Sequence, residues 1–179
     1  AHDTSNASTW QVADIRSGGS TSNPGYYMEI LVGDTLYFSA TDGSNGQELW
    51  AHDTSNASTW QVADIYSGAS SSNPGYYMEI LVGDTIYFDA NGGNSGIELW
   101  AHDTSNASTW QVADIRSGSA GSVPGQYMGA ILVGDTIYFD GSDLSGTELW
   151  AHDTSNASTW QVADISSGAT SRDPGKYMD

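Results

Sequence analysis

The chain has 179 residues and a formal net charge of −18, from 22 acidic side chains against four lysines and arginines. That balance argues against nucleic acid and anionic membrane surfaces as partners, because phosphate recognition needs basic side chains. The absence of cysteine removes disulfide and thiol chemistry, and no apolar run approaches the roughly 20 residues of a membrane-spanning helix, so no membrane insertion is expected.

The stretch AHDTSNASTWQVADI begins at Ala1 and returns unchanged at Ala51, Ala101 and Ala151. The chain is therefore a repeat array, with units 1–50, 51–100, 101–150 and a partial unit 151–179. Unit three gains a residue at Gly129-Ala130 and loses one near Asp140-Gly141, so its length is kept. In chain order, the first elements are two strands beginning at Ala1 and Thr9. A Gly/Ser/Pro segment then leads through Pro24-Gly25 to Tyr27–Val32, an apolar run with Gly33-Asp34 directly after it. Residues 34–40 are β-branched and aromatic, and the short Val-Gly-Asp link makes these two runs a hairpin. Glu48–Asp53 is the third strand of the period. Thr54–Ser58 are turn formers, and Thr59–Ile65 is the fourth strand. The same four signals recur in the next two periods, and nothing shows helical spacing. The predicted fold is all-β: a β-propeller of tandem four-stranded blades of about 50 residues, with a β-solenoid as the structural alternative.

The stretch LYFSATDGSNGQELWAHDTSNASTWQVADI resembles the ELW repeat, which occurs in tandem in large bacterial exported and surface proteins. Leu36-Tyr37-Phe38, Asp42-Gly43, Gly46, Glu48-Leu49-Trp50, Asp53, Val62 and Asp64-Ile65 all fall in register with its pattern. The chain departs from it at Thr54 and Ser58, where glycine is preferred. The spacing of Asp and Trp is also similar to that of Kelch repeats, which are propeller blades. The resemblance implies a repeat architecture and an extracellular or bacterial cell-surface location, and it names no ligand.

Candidate chemistry is sparse. His52-Asp53, with Ser55 close by, contains the residue types of a catalytic triad. Neighbours on a strand point to opposite faces, however, so they cannot orient one another, and no enzyme is expected. Asp42 and Asn45, with Asp89 and Asn91 in unit two and Asp140 and Asp143 in unit three, offer hard oxygen ligands beside Gly-rich turns. They are the candidate calcium ligands. Asn6-Ala7-Ser8 and its copies match a glycosylation pattern that a turn would also select. The tryptophans sit inside strand patterns and are expected to pack between blades. Tyr26, Tyr27, Tyr76, Tyr77 and Tyr127 stand where the chain approaches each first strand, and are expected on the same rim as the Asp42 turn. Aromatics beside acidic turns suit a sugar or cation. The functional expectation is a non-enzymatic binding or adhesion module that recognises glycans, with a structural or designed self-assembling repeat protein as the alternative. The strand count adds an expectation about partners. The opening pair of strands and the closing Tyr177-Met178-Asp179 do not complete a blade, so the chain is expected to self-associate or to belong to a longer propeller.

Overall fold

The computed structural model describes residues 1–165; Tyr177-Met178-Asp179 lie outside the described residues. The chain begins with a short hairpin, β1 (His2–Asp3) and β2 (Ser8–Thr9). Three four-stranded sheets follow. The first comprises β3 (Glu29–Val32), β4 (Thr35–Thr41), β5 (Gln47–Asp53) and β6 (Ser58–Ala63). The second comprises β7 (Glu79–Val82), β8 (Thr85–Asn91), β9 (Ile97–Asp103) and β10 (Ser108–Ala113), and the third β11 (Ala130–Val133), β12 (Thr136–Ser142), β13 (Thr147–Asp153) and β14 (Ser158–Ala163). Each sheet is an antiparallel meander in sequence order, and among the described residues no strand of one sheet pairs with a strand of another. A solenoid would pair strands between repeats; these are the blades of a β-propeller.

Local chemistry explains each turn. Val32 pairs with Thr35, so β3 and β4 are joined by Gly33-Asp34 alone, and glycine supplies the positive φ of 58° that such a tight hairpin requires. Between β5 and β6, Asp53 Oδ1 accepts from the Ser55 amide (2.8 Å) and hydroxyl (2.6 Å), and Asp53 Oδ2 from Asn56 Nδ2 (2.7 Å). Asn56 Oδ1 then accepts from the Ser58 amide at 2.9 Å. The turn places Ala57 at φ 58°, while Thr54 and Ser58 keep negative φ. Thus the two positions where glycine was expected do not need it here. Trp50 pairs with Gln61 and Leu49 with Ala63, so Val62 is the extra residue of a β-bulge. The bulge directs Val62 into the core.

Packing follows the two-residue period of a strand. On β8, Ile86, Phe88 and Ala90 face the first blade and meet Met28, Tyr37, Leu49 and Ala51. Tyr87, between them in sequence, points the other way. It joins Met78, Leu99 and Ala101 against Ile137 and Phe139 of the third blade. Both faces of the middle blade are therefore buried, which is why Ile86-Tyr87-Phe88 of β8 is apolar without a break. Complete burial of Phe88 is worth about 1.5–3 kcal/mol, and truncating it to alanine costs about 3–5 kcal/mol. Trp100 and Trp150 pack on these two cores as expected, but Trp60, Trp110 and Trp160 on the fourth strands stay exposed. The first strands mark the converging edge, since the tyrosines preceding adjacent first strands touch: Tyr27 and Tyr76 ring centroids are 4.8 Å apart.

The segments joining blades carry one strained residue. Asn23 and Asn73 adopt φ of 46° and 48°, a left-handed conformation that asparagine tolerates. Unit three has Val123 at the same place, with φ 51°. A β-branched residue there is an outlier worth about 1–3 kcal/mol. Val123→Asn is expected to raise stability by about 1 kcal/mol, after allowance for the lost apolar contact of this half-buried side chain. A urea midpoint below that of the parent chain would contradict the assignment of strain.

Candidate functional site

The tyrosines are held by the strand behind them. Asp89, in β8, accepts at Oδ1 from the amides of Tyr77 (2.8 Å) and Met78 (2.9 Å), and its carbonyl accepts from the Gly75 amide at 2.9 Å. In the first blade Ser39 does the same with its hydroxyl, accepting from Tyr27 at 3.0 Å and Met28 at 3.4 Å. In the third, Asp140 accepts from Tyr127 at 3.1 Å and Met128 at 3.0 Å. With the backbone fixed in this way, each lead-in segment carries its aromatic side chains to the blade surface.

The result is a continuous aromatic row. Tyr26 meets Tyr27 edge-on at 4.7 Å, Tyr27 meets Tyr76 at 4.8 Å, and Tyr76 meets Tyr77 edge-on at 4.4 Å. Tyr26 is 69% exposed and Tyr76 50%, whereas Tyr27 and Tyr77 are half-buried beneath them. Burial pushes the Tyr77 hydroxyl up, and Tyr76, Asp89 and Tyr127 add to the effect, which places Tyr127 beside the same group. Two clefts open along the row. The first, of about 380 Å³, is lined by Tyr26, Tyr27, Asn23, Gln47, Ser71 and Asn73. It also touches Thr41 and Gly46, the residues flanking the Asp42 turn. The second, of about 200 Å³, is lined by Ser72, Asn73, Tyr76, Tyr77, Asp89 and Ile97. A third hollow, of about 310 Å³, lies on the outer face of blade one among Val12, Ile15, Leu36 and Phe38. It is a mainly apolar seam between the opening segment and blade one, with Glu29, His52 and Thr59 at its margin.

The six candidate calcium ligands fall into two sets. Asp42 is in a turn, where Oδ1 accepts from the amides of Ser44 (2.7 Å) and Asn45 (2.9 Å) and Oδ2 from Asn45 Nδ2 (3.1 Å). These amides, Asn45 first and Ser44 next, hold the carboxyl below the usual carboxylate range. Asn91 Oδ1 accepts from Gly93 at 2.8 Å, and Asp143 Oδ1 from the Ser145 amide at 2.6 Å, each within its own turn. Asp89 and Asp140 are instead buried strand residues opposite Leu99 and Leu149, the register position of Ser39 opposite Leu49. Among the described residues, no three His, Asp or Glu side chains gather as a metal ion would require. His52, His102 and His152 each pair Nδ1 with a threonine hydroxyl across the strand, at 2.7, 2.8 and 2.8 Å.

Two buried carboxylates act differently from the sequence reading, which takes Asp89 as a calcium ligand beside a turn and Glu48 only as a strand residue: both hold backbone amides. Glu48 is buried and accepts from the Ile65 amide (2.8 Å), the Ser72 amide (2.8 Å) and the Ser72 hydroxyl (2.6 Å). The available signal was an acidic residue interrupting an apolar strand at the same place in three repeats.

No protein-family model matches the chain, and no curated protein sequence matches it. Among solved structures it is similar to puromycin hydrolase, with TM-score 0.53 and 11% identity, over 77% of this chain and 20% of that one. It is also similar to a puromycin-hydrolyzing peptidase from Mycobacterium tuberculosis, with TM-score 0.51 and 11% identity, over 78% of this chain and 20% of that one. TolB from Acinetobacter baumannii aligns over 75% of this chain and 31% of its own length, with 14% identity and TM-score 0.48. The chain thus spans about a fifth of the puromycin hydrolases. Likeness at 11% identity concerns the fold alone, and the class it defines is the β-propeller.

The buried acids set the pH response. Burial raises Asp89 from an ordinary 3.8 to about 7, and raises Glu48 from 4.5 to about 7 against the opposing Ser72 hydrogen bonds. Between those limits the folded chain keeps protons that the unfolded chain has released, so stability falls as pH rises from about 4 to about 7. The turn aspartates, lowered chiefly by Ser55 and its counterparts, withdraw their contribution only as pH drops below about 4. The melting temperature is expected to peak near pH 4–5 and fall by several degrees toward pH 8, with a shallower fall in Asp89→Asn. A melting temperature that climbs steadily from pH 5 to 8 would contradict this.

Proposed function

We propose that this chain is a non-enzymatic binding module of an exported bacterial protein, and that it recognises glycans through its tyrosine-lined face. The supporting observation is the aromatic row: Tyr26 and Tyr76 lie exposed above half-buried Tyr27 and Tyr77, on two adjacent blades. Exposed rings give a sugar an apolar platform, and Asn23, Gln47 and Asn73 beside them can exchange hydrogen bonds with its hydroxyls. A non-catalytic role fits the histidines, which are committed to threonine hydroxyls, and Ser55, which is bonded to Asp53 within its turn. The resemblance to ELW repeats supports the cell-surface setting.

The same reading covers partners. Leu36 is 36% exposed on the outer face of blade one, whereas Ile86 and Ile137, its equivalents, are fully buried by a neighbouring blade. A further blade, from a second copy or from the remainder of a longer propeller, would cover it.

The double variant Tyr26→Ala/Tyr76→Ala is expected to weaken glycan binding at least tenfold on an array and in calorimetry, with an unchanged circular dichroism spectrum. Light scattering on the same sample should show association of the 179-residue chain. Undiminished binding in the double variant would overturn the site, and a stable compact monomer would overturn the second copy.

A further inference from the structure

The second cleft differs chemically from its neighbours. It alone among the three repeats combines a strand carboxylate with two adjacent tyrosines. The first blade has Ser39 where Asp89 stands, and the third has Gln126 where Tyr76 stands. Asp89 is 1% exposed and lines the cleft. Its Oδ1 is occupied by the Tyr77 and Met78 amides, and its Oδ2 has no hydrogen-bond partner among the described residues. A buried carboxylate oxygen without a donor is expensive, and a native structure that keeps one commonly does so for a reason.

We propose that this cleft binds an organic ammonium group, such as the amine of an amino sugar, with Asp89 as its counter-ion and Tyr76 and Tyr77 as its aromatic walls. The proposal rests on the tyrosine face being the binding surface and narrows its ligand class. An ammonium N–H supplies the donor that Oδ2 lacks, in a charge-assisted bond. Tyr76 and Tyr77 touch edge-on at an interplanar angle of 69°, so the pair offers a π-face, which attracts cations, to a guest beside it. No lysine or arginine lines the cleft to compete for the carboxylate. The surrounding potential is negative as well: Glu79 acts on Asp89, and Glu29 acts on Glu79. These carboxylates do not converge as metal ligands, and aromatic walls favour a weakly hydrated organic cation over a calcium ion.

The test compares methyl glucosaminide with its N-acetylated counterpart by calorimetry at neutral pH. The parent chain is expected to bind the free amine about tenfold more tightly than the acetamide. Asp89→Asn keeps an oxygen for the Tyr77 and Met78 amides and should abolish that preference. Tyr76→Ala, at an exposed position, should weaken amine binding with the fold intact. Ser39→Asp places a carboxylate at the equivalent point of the first blade, beside Tyr26 and Tyr27, and should add a second amine-preferring site. Equal binding of the two probes would overturn the ammonium assignment and leave glycan recognition standing. An amine preference that survives in folded Asp89→Asn would overturn the role of Asp89. Binding of neither probe would overturn the ammonium site, and a blank glycan array beside it would remove the glycan reading too.

Discussion

A buried glutamate on the third strand of each blade fastens the chain where it leaves the fourth strand. Glu48 holds Ile65 and Ser72, Glu98 holds Ile115, Arg116 and Ser122, and Glu148 holds Ile165. Burying a carboxylate is costly, and burial raises Glu98 above the ordinary range even against the Ser122 hydrogen bond. Several amide and hydroxyl donors offset that cost, each worth about 1.5–3 kcal/mol to a charged acceptor. The link is then pressed onto the blade. A Cβ on Gly96 would lie 2.4 Å from the Gly121 nitrogen, so only glycine permits the approach. From this anchor the rest follows in order. The Gln47 carbonyl accepts from the Ser72 and Asn73 amides, Asn73 turns the chain at positive φ before Pro74-Gly75, and Asp89 accepts from the Tyr77 and Met78 amides.

Repetition and the tyrosine clefts occupy different residues in this architecture. The invariant fifteen residues build the end of the third strand, the capped turn and the fourth strand of each blade. They supply interchangeable surfaces, since each unit buries its apolar faces only against neighbours. The tyrosine clefts are built elsewhere, from the segments between blades and the second strands. That is where the repeats differ: Ser39, Asp89 and Asp140 at one place, and Tyr26, Tyr76 and Gln126 at another. Identical scaffolds can thereby present clefts of different charge along one face.

The features legible in the sequence were those decided by neighbours in the chain. Gly33-Asp34 announced its hairpin, and the unbroken apolar run Ile86-Tyr87-Phe88 announced a strand buried on both sides. The tyrosines were legible as a group because they precede first strands, although nothing local showed that Tyr27 and Tyr76 would touch. What stayed hidden depended on register. Asp89-Ala90-Asn91-Gly92-Gly93 is rich in turn formers, and only the pairing of Asp89 with Leu99 shows that the strand continues through it. The bulge at Val62 likewise exists only in the offset between two strands, and the exposure of Trp60 follows from its place on the fourth strand.

Removing one glutamate tests the dependence on these anchors most directly. In Glu98→Ala, the Ile115 and Arg116 amides and the Ser122 hydroxyl lose their acceptor. Hydrogen exchange read residue by residue should then show lost protection at Ser122 and Val123, whose amides bond to the Ile97 carbonyl, with a global loss of about 2–4 kcal/mol. Parental stability together with unchanged protection at those amides would contradict the account.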